Sequence, residues 1–213
     1  MEGKITSIEI QSRNKDRVNI FVDGEFAIAC FAEIVYRKNL KKGDKIDISQ
    51  LNEISLKEEY SKAKNYALRL VEKGYKPEKN VVDKLLQRGY SKDTINEVII
   101  FLKEYSLIDD KRYAEAYVKE KSNSQGKNKI RYALLNKGID KNIIENAIEN
   151  LYDEEMGENI AEKVAIKKYN AIIQRENDKY KIKMKLYRFL IGKGYSMDCS
   201  KSVVDKVLQE NEL

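Results

Sequence analysis

Few side chains in this 213-residue chain are suited to covalent chemistry. It contains no histidine, so the commonest general base and a favoured transition-metal ligand are both missing. The only two cysteines, Cys30 and Cys199, stand far apart. They form no metal or redox spacing and read as small hydrophobes in a reduced, cytosolic setting. Asp109 and Asp110 form an adjacent carboxylate pair that could suggest acid–base or metal chemistry. Their position just ahead of a helical pattern has a simpler reading, because carboxylates there cap free N–H groups and meet the positive end of the helix dipole. No third ligand or phosphate-cradling loop accompanies them. The expectation is a protein that is not an enzyme and carries no metal or cofactor.

The remaining chemistry is charge. The net charge is +6, and it comes in blocks. Residues 1–55 hold nine cations and nine anions, and residues 111–137 hold eight cations and two anions. Residues 138–162 hold one cation and eight anions, whereas 163–193 hold ten cations and two anions. Such blocks suit a polyanionic partner. The candidate contact residues are Lys111, Arg112, Lys127, Lys129, Arg131, Lys181, Lys185 and Arg188. Lys127 and Arg131 are one helical turn apart, as are Lys181 and Lys185, so each pair is expected on one solvated helix face.

These residues are positioned by a repeated device. Leu85-Leu86-Gln87-Arg88-Gly89-Tyr90-Ser91 reads as a helix end, a stop and a new helix start. Gly89 supplies the left-handed closing conformation, Tyr90 folds back, and Ser91 caps the next helix. Leu134 to Asp140 matches position by position, and Leu190 to Ser196 matches again. The glycines at 89, 138 and 194 lie 49 and 56 residues apart, a self-similarity that argues for stacked units. The pattern predicts three three-helix repeats at 56–106, 107–152 and 153–213. Expected buried stripes include Val81, Val82, Leu85 and Leu86, then Ile95, Val98, Ile99 and Leu102. The first helix of the third repeat contains Ile160, Ala161, Val164, Ala165, Lys168 and Ile172.

Ahead of the repeats lies a small β-rich domain, residues 1–55. Alternating runs at 18–22 and 26–30 flank Asp23-Gly24, a strong hairpin signal. Residues 4–11 form another strand, 31–39 a short helix, and Lys45 to Ile48 a fourth strand. Arg13, Lys15 and Arg17 read as a wet strand link. The first long helix is expected at Leu56–Lys73. No run of about 18 apolar residues is present, so no membrane span is expected, and the charged first 17 residues do not resemble a secretory signal.

Three stretches resemble the bacterial recombination regulator family RecX. They are the hairpin from Ile5 to Phe26, the segment Tyr75-Lys76-Pro77-Glu78-Lys79-Asn80-Val81 with Leu85 to Tyr90, and Ile108 to Ala114 with Gly126 to Arg131 and Lys137-Gly138-Ile139. The sequence departs from the family pattern at Lys76, Lys79, Asn80, Lys119 and Lys121, and a lysine cannot offer the bidentate arginine fork. The resemblance implies a mainly α protein of three tandem three-helix repeats in an elongated, curved array behind the small β domain. It also implies a cytoplasmic monomer that binds the RecA–single-stranded DNA filament in its groove and inhibits it, with weaker contacts to single- and double-stranded DNA. The candidate cations would then meet RecA or DNA. The alternative is a direct DNA-binding module of helix-turn-helix type.

Overall fold

The computed structural model describes residues 2–12 and 14–210. Arg13 lies outside the described residues, and so does the chain end beyond 210. The chain divides into two compact units, one up to Ile108 and one from Asp109 onward.

The first unit opens with strands β1 (Glu2–Ile10), β2 (Arg17–Val22) and β3 (Glu25–Phe31). Helix α1 (Ala32–Arg37) and strand β4 (Lys45–Asp47) follow. The sheet is antiparallel, in the order β3-β2-β1-β4. Asp23 and Gly24 turn the hairpin with φ of 51° and 91°, the two positive values that a twisted two-residue loop requires. Val18, Ile20 and Val22 alternate inward with Ile28 and Cys30 from β3, as period-2 patterning dictates.

Helix α2 corrects the expected boundary. It runs Ile48–Glu72, so Ile48 belongs to the helix and not to a fourth strand, and residue 55 lies inside the helix. The reason is Asp47, whose carboxylate accepts from the Ser49 N–H at 3.0 Å and caps the helix there. The buried positions Leu51, Ser55, Glu59, Ala63 and Ala67 recur every four residues. Leu51 packs into the sheet core and Ala63 and Ala67 into the first repeat, so one helix serves two cores. Helices α3 (Glu78–Gln87) and α4 (Lys92–Glu104) complete the repeat. Leu86 is not part of its stripe. It is 46% exposed, whereas Val81 and Leu85, one turn apart, are buried and Val82 packs partly buried against the same core.

The second unit contains two further three-helix sets. These are α5 (Asp110–Lys121), α6 (Lys127–Asn136) and α7 (Lys141–Leu151), then α8 (Glu154–Ile172), α9 (Lys179–Lys193) and α10 (Met197–Glu210). Ile130, Leu134, Ile144 and Ile148 centre one core, and Leu186, Leu190, Val204 and Val207 the other. On α8, Ala161, Ala165 and Ile172 are buried, whereas Lys168 is exposed.

The three junctions share one hydrogen-bond scheme. The N–H groups of Gly89, Gly138 and Gly194 each donate at 2.9 Å to Leu86, Leu135 and Ile191. Those of Tyr90, Ile139 and Tyr195 reach back to Leu85, Leu134 and Leu190 at 3.4, 3.2 and 3.2 Å. This is the Schellman closure, and the glycines take φ of 80°, 83° and 93°. Ser91, Asp140 and Ser196 then accept from the N–H groups of Thr94, Asn142 and Cys199, capping the next helix.

Candidate interaction surface

The basic candidates fall on three helices, all in the second unit. Lys111 and Arg112 are exposed on the first turn of α5. That turn starts at Asp109, whose carboxylate accepts from the Arg112 N–H at 3.0 Å. Asp109 is therefore engaged as a helix cap.

On α6 the structure revises the expectation of solvated cations. Arg131 donates from Nε and Nη2 to the two oxygens of Glu145 at 2.6 and 2.8 Å, and from Nη1 to Asn128 at 2.8 Å. Its side chain is only 28% exposed. The guanidinium fork is spent inside the protein, where it ties α6 to α7, and its hydrogen bond to Glu145 holds that carboxyl below the usual range. Lys127 pairs with Glu154 at the start of α8. Lys129 is exposed, with Nζ 3.5 Å from the Gly192 carbonyl.

On α9, Lys181, Lys185 and Arg188 are exposed beside the buried Ile182, Leu186 and Leu190. Lys181 is 63% exposed and 3.8 Å from Asp178. Lys185 bonds Glu176 at 2.9 Å and lowers the Glu176 carboxyl. Lys181, near the start of α9, stands apart from the α6 set. The start of α6 meets Lys193 and Gly194, at the far end of α9, and thirteen residues of rise separate Lys181 from that end by about 20 Å.

The α6–α9 contact is backbone against backbone. The Gly126 N–H donates to the Lys193 carbonyl at 3.0 Å, and the Asn128 N–H to the Gly194 carbonyl at 3.1 Å. The C-terminal carbonyls of one helix thus satisfy N–H groups at the start of another, two sets of groups each helix leaves unbonded. A cavity of about 590 Å³ opens beside this joint. Tyr132, Leu135, Ile191 and Met197 line it with exposed apolar surface.

Several polar arrangements escaped the sequence reading. Tyr113 and Tyr117 stack at 6.1 Å with Lys137 within 5.8 Å of both rings, which assigns two aromatics that periodicity left open. In the first unit Arg17 is no wet turn residue. Its Nη1 lies 2.8 Å from Glu59 Oε2, with the two side chains 12% and 6% exposed, and its guanidinium sits over Phe31. The other Glu59 oxygen accepts from the Ser91 N–H at 2.8 Å. Burial pushes the Glu59 carboxyl up, but Ser91 and Arg17 together outweigh it and hold the group below its ordinary value. One buried carboxylate thereby joins the sheet, α2 and the start of α4. The cysteines differ: Cys30 is buried and its thiol pushed up to about 11 by desolvation, while Cys199 is only half-buried.

Successive three-helix sets with one closing scheme, behind a small antiparallel sheet, define a tandem three-helix-repeat protein. The descriptions that match it run in the same order: "Regulatory protein RecX N-terminal domain" over residues 3–47, and the first, second and third three-helix domains of RecX over 63–102, 109–148 and 154–204. The chain belongs to the RecX family of regulatory proteins. It is 49% identical over 210 residues to regulatory protein RecX of Clostridium perfringens strain SM101, covering 99% of this chain and 98% of that one. With the Clostridium tetani protein it shares 45% over 206 residues, 97% of this chain and 95% of the relative. A crystal structure of regulatory protein RecX superposes with a TM-score of 0.67 at 27% identity, covering 95% of this chain and 99% of that one. RecX from Lactobacillus salivarius gives 0.61 at 32%, with coverage of 72% and 96%. No helix among the described residues is long and apolar enough to cross a membrane.

Proposed function

We propose that this protein regulates the RecA recombinase by binding the RecA–single-stranded DNA filament and inhibiting it. The observation that carries the reading is family membership along the whole chain, with relatives named regulatory proteins. The role is one of binding and not of catalysis. Lys181, Lys185 and Arg188 on α9, with Lys111 and Arg112 on α5 and Lys129 on α6, supply the cationic contacts to filament carboxylates and phosphates. Such contacts are electrostatic and reversible, so they weaken as salt rises. Lys127 and Arg131 act indirectly, by bracing α6 through Glu154 and Glu145.

The test is a pulldown of purified RecA by the immobilised protein, with and without single-stranded DNA and a slowly hydrolysed ATP analogue. Retention of RecA only when DNA and nucleotide are both present is the expected result. Equal retention of free RecA, or none in any condition, refutes the filament reading.

A further inference from the structure

Helix α6 carries two sets of apolar residues, and only one is packed. Ile130 and Leu134 are buried in the core of the second repeat. Tyr132 and Leu135 lie outside that face and are exposed, Tyr132 by 68%. They line the cavity of about 590 Å³ beside the α6–α9 joint, together with Ile191 and Met197, and Met197 is 70% exposed. Large apolar side chains gathered on one surface mark an interaction site, whereas single scattered ones need no explanation.

The other repeats show that the fold does not demand this surface. With the closing glycines aligned, Tyr132 stands where the first repeat has Asp83 and the third has Arg188. Met197 stands where the first repeat has Lys92 and the second has Lys141. All four of those charged residues are exposed. The framework therefore accepts a solvated charge at both positions. The two apolar exceptions come from different repeats and yet line one groove.

Shape and charge select the occupant. Asn128, Tyr132 and Leu135 follow at four and three residues along α6, a stripe about 10 Å long. Ile191 and Met197 add apolar surface from the α9–α10 corner. An open apolar trough about two helical turns long suits the apolar stripe of an amphipathic helix. No carboxylate lines the groove, but Lys129 and Arg131 do. Arg131 is committed to Glu145. Lys129 enters no ion pair among the described residues and keeps its charge for a ligand. An acidic helix is thus favoured over a basic one.

We propose that the groove at the α6–α9 joint docks an acidic amphipathic helix of a partner protein. Its apolar stripe would cover Tyr132, Leu135, Ile191 and Met197, and one of its carboxylates would meet Lys129. The test needs neither RecA nor DNA, so its outcome is separate from that of the filament reading.

The experiment is fluorescence anisotropy of the full chain with labelled, designed peptides of about four helical turns. Two peptides share a leucine stripe at i, i+3, i+4 and i+7, one with glutamate and one with lysine on the polar face. A third keeps the glutamates and replaces the leucines with serine. The glutamate–leucine peptide should bind about 10-fold more tightly than either of the others. The variant Y132D/M197K gives the groove the residues that the first repeat carries at these positions, so its melting by circular dichroism should match wild type. It should bind the glutamate–leucine peptide about 10-fold more weakly. Lys129→Glu should weaken the same peptide about 3-fold. The proposal is overturned if Y132D/M197K binds within 2-fold of wild type. It is also overturned if the lysine or serine peptide binds as tightly as the glutamate–leucine peptide, or if the latter does not bind. Light scattering of the chain alone tests the competing occupant: a dimer that Y132D/M197K dissociates would make the groove a contact between two copies and overturn the proposal as well. If the double variant melts early, Tyr132→Asp alone carries the test: about a 3-fold loss supports the site and none overturns it.

Discussion

Replacing Gly126 by alanine should destabilise the second unit by about 3–5 kcal/mol, although nothing about the residue's own conformation forbids a side chain. Its φ is −73°, an ordinary value for any L-residue. The obstacle is space. A Cβ there would lie 2.3 Å from the Gly194 carbonyl carbon and oxygen and 2.4 Å from the Tyr195 nitrogen. All three are backbone atoms, which cannot swing aside. The start of α6 and the end of α9 must separate by about 1 Å to restore contact distance. Overpacking of this kind costs about 1–3 kcal/mol. Separation also loosens the two hydrogen bonds at 3.0 and 3.1 Å that close the joint, at about 1 kcal/mol each. For a chain of this length the melting temperature should fall by about 10 °C. The matched control is Gly192→Ala, two residues from the contact, where an added Cβ meets nothing within 4 Å. Gly192 lies within α9, so alanine should stabilise by up to about 1 kcal/mol. Melting followed by circular dichroism at 222 nm measures both. If Gly126→Ala melts within 1 °C of wild type, the backbone joint is not as tight as described and the reasoning fails.

Arg17→Ala should cost about 3–5 kcal/mol in urea unfolding, because it leaves the buried Glu59 carboxylate without its cation. Since folding lowers the Glu59 pKa, the stability it contributes is complete above the unfolded carboxyl value. That stability is lost as pH falls through the folded value, so Glu59→Gln should flatten the acid limb of the stability–pH curve; an unchanged limb contradicts this. Arg131→Ala should destabilise by about 2–3 kcal/mol, because three hydrogen bonds are lost, two of them to a carboxylate; a loss below about 0.5 kcal/mol would return Arg131 to the list of contact residues. Reversing Lys181, Lys185 and Arg188 to glutamate should leave unfolding within about 1 kcal/mol of wild type. The same variant should bind the RecA filament more weakly and with a shallower salt dependence, and unchanged affinity in the folded variant would mean that α9 carries only solvated surface.

Local patterns are legible in the sequence. Asp23-Gly24 specified its hairpin, because a type I′ two-residue loop needs two adjacent positive φ values and those residue types tolerate them. The endings at Gly89, Gly138 and Gly194 specified three equivalent helix junctions. Each needs only a left-handed glycine, a residue that folds back onto the helix and a capping oxygen, all within seven residues. The alternation of β2 and the four-residue spacing of Ile182, Leu186 and Leu190 likewise follow from the periods of strand and helix. Tertiary structure decided what depends on residues distant in sequence. The buried stripe of α2 was hidden because it runs through Glu59, a carboxylate that is tolerable inside only once Arg17 and Ser91 arrive from 42 and 32 positions away. Arg131 looks like any exposed helical cation until Glu145 folds against it. Gly126 shows no unusual conformation, and its need for a bare Cα exists only because Gly194, 68 residues later in the chain, brings its backbone into contact. Charge content is a property of the sequence, but whether a cation is spent on an internal carboxylate or left for a partner is set by three-dimensional neighbours, and no local pattern encodes them.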